Sequence, residues 1–277
     1  TGYGEKGPDS HRTAFDTMAW WARSGLMDIV RPSENSAPAN PPIGMGDQPT
    51  GVALFASIMT ALYRREKTGK GGEVHTSLMA NGAWSNGSFI QAGLFGAQFP
   101  DRKEPSPLHP FGGRYKTKDN RYLILAIIDA NKEWPKFLKA LDIEYLNEDP
   151  RFSSFKKMNE NFTILYEELE KIFIQYSLKE ITEKLRFSEV TFGILSHSND
   201  HSKDQQFIES EVLVKFDEGS FDEDFFTINS PIFLENESKK IPTKAPKLGE
   251  HTKEILSSLG QNEEEIAQLK QDGIIDF

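Results

Sequence analysis

Gly46-Asp47-Gln48-Pro49-Thr50-Gly51 constrains this chain more than any other segment, because it opens a long helix whose far end is equally well marked. Proline, with its fixed φ and missing amide, belongs in a first helical turn, and Asp47 stands just ahead of it. Val52, Phe55, Met59 and Leu62 then recur at three- and four-residue spacing, the period of an amphipathic helix. Arg64-Arg65-Glu66-Lys67 places cations where they offset the negative end of the dipole, and Gly69, Gly71 and Gly72 end the run.

Around this helix the first eighty residues alternate loops and periodic segments in the manner of α/β proteins. Phe15, Met18, Ala19, Ala22 and Leu26 predict a helix from Phe15 to Met27, stopped near Ser24-Gly25. The proline-rich stretch 31–42 reads as loop. Alternation over Glu73-Val74-His75-Thr76-Ser77-Leu78 predicts a strand, followed by a helix from Met79 to Ala97. Residues 100–113, rich in Pro and Gly, read as a linker. Beyond them come a buried strand over 121–128, helices over 132–141, 161–176 and 179–186, and a short strand over 192–195. Residues 206–245 read as strands and loops, with two closing helices at 252–259 and 263–270.

Composition removes several classes of function. Cysteine is absent, which excludes disulfides, thiolate metal sites and a Cys nucleophile. No apolar run approaches the roughly 20 residues of a membrane-spanning helix. The net charge is −10, and residues 206–277 carry seven Lys against sixteen Asp and Glu, a balance that disfavours nucleic acid or an anionic membrane as partner. A soluble, cytoplasmic protein is the expectation. Thr1-Gly2-Tyr3-Gly4 reads as a loop leaving a strand that is not in this sequence, so a longer chain missing its N-terminal portion is also expected.

Motifs narrow the field further. Gly2-Tyr3-Gly4-Glu5-Lys6-Gly7 matches the dinucleotide pattern G-x-G-x-x-G, but Pro8 follows and no apolar helix stands behind it, so it reads as a turn-rich loop. Gly69-Lys70-Gly71 is no Walker loop. His197 and His201 have a metal-compatible spacing, yet Ser198-Asn199-Asp200 between them is turn-like and lacks the Glu of H-E-x-x-H; no metal is expected. Asp47 admits two readings. It can be a helix cap, accepting orphan amides of the first turn. Taken alone the cap is the commoner outcome, yet the same geometry suits a nucleophile, since amides and the positive dipole end favour its charged form, and Gly46 and Gly51 leave backbone open to a substrate. A carboxylate that attacks a thioester forms an acyl anhydride and splits one hard transfer into easier steps.

The ordered set T-G-Y-G-x-x-G-P (1–8), A-F-D (14–16), S-G-L-M (24–27), G-D-x-x-T-G (46–51), A-L-Y-R-R-E-K-T-G-K-G (61–71), V-H-T-S-L (74–78) and P-K-L-G-E-H-T (246–252) resembles the class III CoA-transferases of the CaiB/BaiF type. Lys118-Asp119-Asn120-Arg121-Tyr122-Leu123 resembles the family's entry into its small domain. The resemblance implies an α/β CoA-transferase fold: part of a Rossmann-like large domain over 1–113, a smaller α+β domain over 114–205, and a return to the large domain over 206–277. It implies an interlocked homodimer, acyl-CoA and carboxylic-acid substrates, and no cofactor beyond the CoA thioester itself. Asp47 falls on the family's nucleophile, Asp16 on an acidic supporting position, and Gly46, Gln48 and Phe15 on the substrate and CoA site.

Phe15 also separates two chemistries. The α-methylacyl-CoA racemases resemble this pattern but carry His there, and proton abstraction beside a carbonyl needs two titratable groups. Phe15 cannot titrate, which favours transfer. Acyl-CoA hydrolysis on the same aspartyl intermediate, and a non-catalytic binding module, stay open as alternatives.

Overall fold

A computed structural model describes residues 1–99, 108–217, 219, 221 and 225–276. The predicted linker over 100–113 therefore falls mostly outside the described residues. Its last part is described: Pro110–Gly112 form one 3₁₀ turn that leads into the first strand.

Residues 1–99 are helix and loop. A seven-residue π-helix, Asp16–Ala22, comes first, with Arg23 N–H bonded back five residues to the Met18 carbonyl at 3.1 Å. Gly25 then takes a left-handed φ of 82°, open to glycine without strain, and a single turn α1, Leu26–Ile29, follows. The one predicted helix over 15–27 is thus two, broken at the Ser24-Gly25 stop. Helix α2, Asp47–Thr68, has 22 residues and ends on Gly69 in the left-handed region. The predicted strand over 73–78 is not formed. Ser77 is extended, but no strand lies beside this segment among the described residues, and a strand exists only as one side of a ladder. Ser77 instead accepts the Ala80 N–H at 3.1 Å and caps α3, Leu78–Ser85. The helix expected over 79–97 breaks at Asn86 before α4, Gly87–Leu94, because the Asn86 side chain donates to the Ser24 carbonyl at 2.7 Å instead of continuing the helix surface.

The packed core lies further along. Strands β1 (Arg114–Lys116), β2 (Tyr122–Leu125) and β3 (Phe192–Leu195) form an antiparallel sheet in the order β1-β2-β3, with Tyr115 opposite Leu123 and Leu123 opposite Ile194. The expected buried strand over 121–128 is shorter and only half-buried. Leu123 and Leu125 face inward while Tyr122 and Ile124 face out, as one-sided antiparallel sheets do. Helices α5 (Ala130–Ala140), α6 (Phe155–Glu160), α7 (Phe162–Phe173) and α8 (Leu178–Phe187) supply the rest of this core through Phe137, Met158, Leu165, Leu169, Phe173, Ile181 and Leu185, all buried. Tyr115 stacks on Phe173 at 4.3 Å and donates its hydroxyl to the Pro110 carbonyl at 2.7 Å. Short helix α9 (Gln205–Glu209), hairpin β4 (Leu213–Lys215) with β5 (Phe226–Ile228), and helices α10 (Thr252–Ser258) and α11 (Glu263–Gln271) complete the described chain.

Candidate active site

The sequence points to the start of α2, and the structure brings Phe15-Asp16 and Gly46-Asp47-Gln48 together there. Gly44, at φ 77°, turns the chain, and Gln48 N–H returns to the Gly44 carbonyl at 3.2 Å. Thr50 N–H and Oγ1 both donate to the Gly46 carbonyl, at 3.2 and 2.7 Å, which winds the first turn of the helix. From the other side, Gly46 N–H donates to Asp16 Oδ1 at 3.0 Å across a buried contact. The residues on either side of this bond, Phe15 and Asp47, are exposed. Phe15 is 66% exposed in spite of its apolar ring.

The helix-cap reading of Asp47 fails. The capping position is Gly46, already at helical φ −93° and ψ −26°, and Asp47 is the first helical residue. A cap needs extended backbone so that its side chain can fold back on the amides behind it, and that geometry is absent here. No side-chain cap bond forms, and the Asp47 carboxylate is left exposed at the positive end of the helix. Gln48 beside it is exposed too.

Asp16 is the buried carboxylate of the pair, only 5% exposed. It does not cap its own helix, whose capping position is Phe15. Its Oδ1 serves Gly46 and its Oδ2 is buried without a partner, as are the Nε1 atoms of Trp20 and Trp21. Gly46 lies so close that a Cβ there would sit 2.3 Å from Asp16 Oδ1 and 2.4 Å from the Trp20 ring. Trp20 escaped the sequence reading. The available signal was a pair of tryptophans on a short helix next to A-F-D, which apolar spacing alone treats as ordinary core.

The other motifs resolve locally. Gly4 and Gly7 of the glycine-rich start have φ of 102° and 99°, a turn-rich loop in which Arg12 lies over the Tyr3 ring at 5.5 Å. In the basic run, Arg64 donates to the Gly71 carbonyl at 3.1 Å and Lys67 lies over Tyr63 at 5.4 Å. His201 places Nδ1 3.2 Å from the Ser198 carbonyl and its ring against Phe207. Among the described residues no group of three His, Asp or Glu side chains is gathered as a metal site would need. No helix among the described residues is long and apolar enough to cross a membrane.

Solved structures share the overall fold. A CaiB/BaiF family protein from Brucella suis superposes with a TM-score of 0.79 over 94% of this chain and 66% of its own, at 23% identity. A structure from Mycobacterium tuberculosis gives 0.73 over 91% and 66%, at 20% identity. The fold is therefore of the CaiB/BaiF class. The profile of CoA-transferase family III matches residues 1–252, and the chain belongs to that family. An (R)-2-hydroxy-4-methylpentanoate CoA-transferase of Clostridioides difficile is 33% identical over all of this chain and 68% of its own length. A cinnamoyl-CoA:phenyllactate CoA-transferase of Clostridium sporogenes is 28% identical over 98% and 66%. The chain thus spans about two thirds of the length of these relatives.

Proposed function

We propose that this protein moves CoA from an acyl-CoA thioester to a carboxylic acid, with Asp47 as the covalent nucleophile. One observation carries the reading: a carboxylate without hydrogen bonds of its own stands exposed at the positive end of a 22-residue helix, in a turn fixed from behind by Asp16. A free, charged oxygen at a dipole end is what attack on a thioester carbonyl requires.

The sequence of bonds follows. Asp47 attacks the donor carbonyl, the C–S bond breaks, and CoA leaves as thiolate from a mixed anhydride. The thiolate attacks the aspartyl carbonyl of that anhydride, releasing the donor acid and leaving an aspartyl-CoA thioester. The acceptor carboxylate attacks this thioester, the thiolate leaves, and a second anhydride forms. Attack of the thiolate on the acceptor carbonyl yields the new acyl-CoA and frees Asp47. Atoms balance at each step and no resident cofactor is needed. Exposed Gln48 lines the approach to the carbonyl, the exposed Phe15 ring forms an apolar wall, and Asp16 holds the turn through Gly46, which is buried rather than open to substrate. The names of the two relatives favour 2-hydroxy acids with an apolar tail as acceptors. In the family manner we assign the full protein to a cytoplasmic, interlocked homodimer.

Asp47→Asn in the full-length protein should lower transfer by at least about 10³-fold, as loss of a covalent nucleophile does. Its stability should change by less than about 1 kcal/mol, because only a charge–dipole contribution is removed. Hydroxylamine added during turnover should mark Asp47 and no other carboxylate. A well-folded, active Asp47→Asn enzyme would overturn the mechanism. Exchange of the α-proton of a 2-methylacyl-CoA in deuterated water would instead favour racemisation, and turnover without an acid acceptor would favour hydrolysis.

A further inference from the structure

The turn that carries Asp47 rests on the π-helix, and the π-helix rests on a second glycine that no motif marks. Gly82 is buried in the middle of α3. A Cβ at this position would lie 2.2 Å from the Trp20 carbonyl oxygen and 3.0 Å from Ser24 Cβ. A Cβ on Gly46 would lie 2.4 Å from the ring of the same Trp20. Two glycine backbones therefore meet the same Trp20, Gly82 at its carbonyl and Gly46 at its ring, as closely as glycine permits. Both glycines are needed for space, since neither has a left-handed φ.

Helix α3 cannot simply slide away to admit a methyl group. Its first amides, Leu78 and Met79, donate to the carbonyls of Thr1 and Gly2 at 3.0 Å each. Just beyond its last turn, Asn86 Nδ2 donates to the Ser24 carbonyl at 2.7 Å. With α3 tied at both ends, added bulk at position 82 displaces Trp20 toward Gly46. The Gly46 amide is fixed to Asp16, so the displacement is passed to the residue that follows, Asp47. We infer that Gly82 is a positioning residue for the nucleophile, acting through Trp20 and Gly46. The inference rests on the reading of Asp47 as the nucleophile.

The test is made in the full-length enzyme. A misplacement of about 1 Å costs on the order of 10²-fold in a covalent step. Gly82→Ala should therefore lower kcat by about 10-fold or more while KM for the acyl-CoA changes less than about twofold. The fraction of Asp47 marked by hydroxylamine per folded chain should fall in parallel. Gly87→Ala and Gly93→Ala, where an added Cβ meets nothing within 4 Å, should leave kcat unchanged and serve as controls. Trp20→Phe removes ring volume without losing a hydrogen bond, because Trp20 Nε1 has no partner. Combined with Gly82→Ala it should recover part of the lost kcat, so that the two effects are not additive. Wild-type kcat in Gly82→Ala, or strict additivity with Trp20→Phe, would overturn the proposal. If Gly82→Ala does not fold, Asn86→Ala weakens the same coupling without adding an atom and must lower kcat several-fold at constant KM; unchanged kcat there overturns it equally. Asp47→Asn keeps the two readings apart. An inactive Asp47→Asn beside an unaffected Gly82→Ala removes only the positioning role, whereas an active Asp47→Asn removes the nucleophile.

Discussion

Two buried carboxylates illustrate how differently acids are used in this chain. Glu133 is almost fully buried on α5, and its Oε2 accepts the Thr191 N–H at 2.8 Å. Burial opposes its charge, but hydrogen bonds from the side chain and backbone of Thr191, together with those from the backbone of Asp129 and Ile128, hold the carboxyl below its ordinary value of 4.5. A folded-state value below the unfolded one means that the stabilisation is present above the unfolded value and is lost as pH falls through the folded one. Glu133→Ala should therefore cost about 1–3 kcal/mol at neutral pH, because the Thr191 amide loses its partner. Urea unfolding should show this penalty shrinking on acidification below about pH 4.5. Asp16 serves geometry. Asp16→Asn keeps an acceptor for Gly46 and should lose less activity than Asp16→Ala, by kcat at equal folded fraction; the reverse order would indicate that its charge takes part in the chemistry. The start of α2 at Asp47 was legible in the sequence, since Gly, Pro and Gly punctuate its turn. It misjudged the capping role, because the capping residue and the first helical residue differ only in backbone angles. Gly82 was legible in principle: a glycine inside an apolar helix lowers stability and implies a close neighbour.

At the scale of elements, what was legible depended on whether an element defines itself. Helices α5, α7 and α8 carry their own apolar stripe, and their existence was evident from spacing. Helix α8 is also locally capped: Ser177 Oγ accepts the Glu180 N–H while Glu180 returns to the Ser177 N–H at 2.8 Å. Ser177→Ala should destabilise the fold by about 1 kcal/mol, measurable as a shift in denaturant midpoint without a change in slope. The segment 73–78 shows the opposite case. Its alternation is real, yet a strand needs a neighbour, and periodicity in one segment does not supply one. The π-helix was invisible for a different reason, because the wider turn arises from tertiary contacts of Asp16, Trp20 and Gly82 and has no spacing of its own.

For the whole molecule, the surface is the informative quantity. The chain exposes 19877 Å², whereas a compact monomer of this mass exposes about 12,000 Å². Some of the exposed surface is an apolar stripe on α2, where Val52, Phe55, Met59 and Leu62 are all exposed. The apolar stripe that made this helix predictable is therefore the stripe that remains uncovered. The 277-residue chain by itself should self-associate in light scattering, and Phe55→Glu with Met59→Glu should reduce that association. Helix α2 has no buried residue along its whole length, and this bears on its endurance. A helix with so little buried surface is marginal in water and frays from its ends inward. In the isolated chain its amides should exchange with deuterium far sooner than those of α7, which the core protects. Beyond the first turn, which Asp16 pins through Gly46, order along α2 is then conferred by whatever surface comes to lie against it.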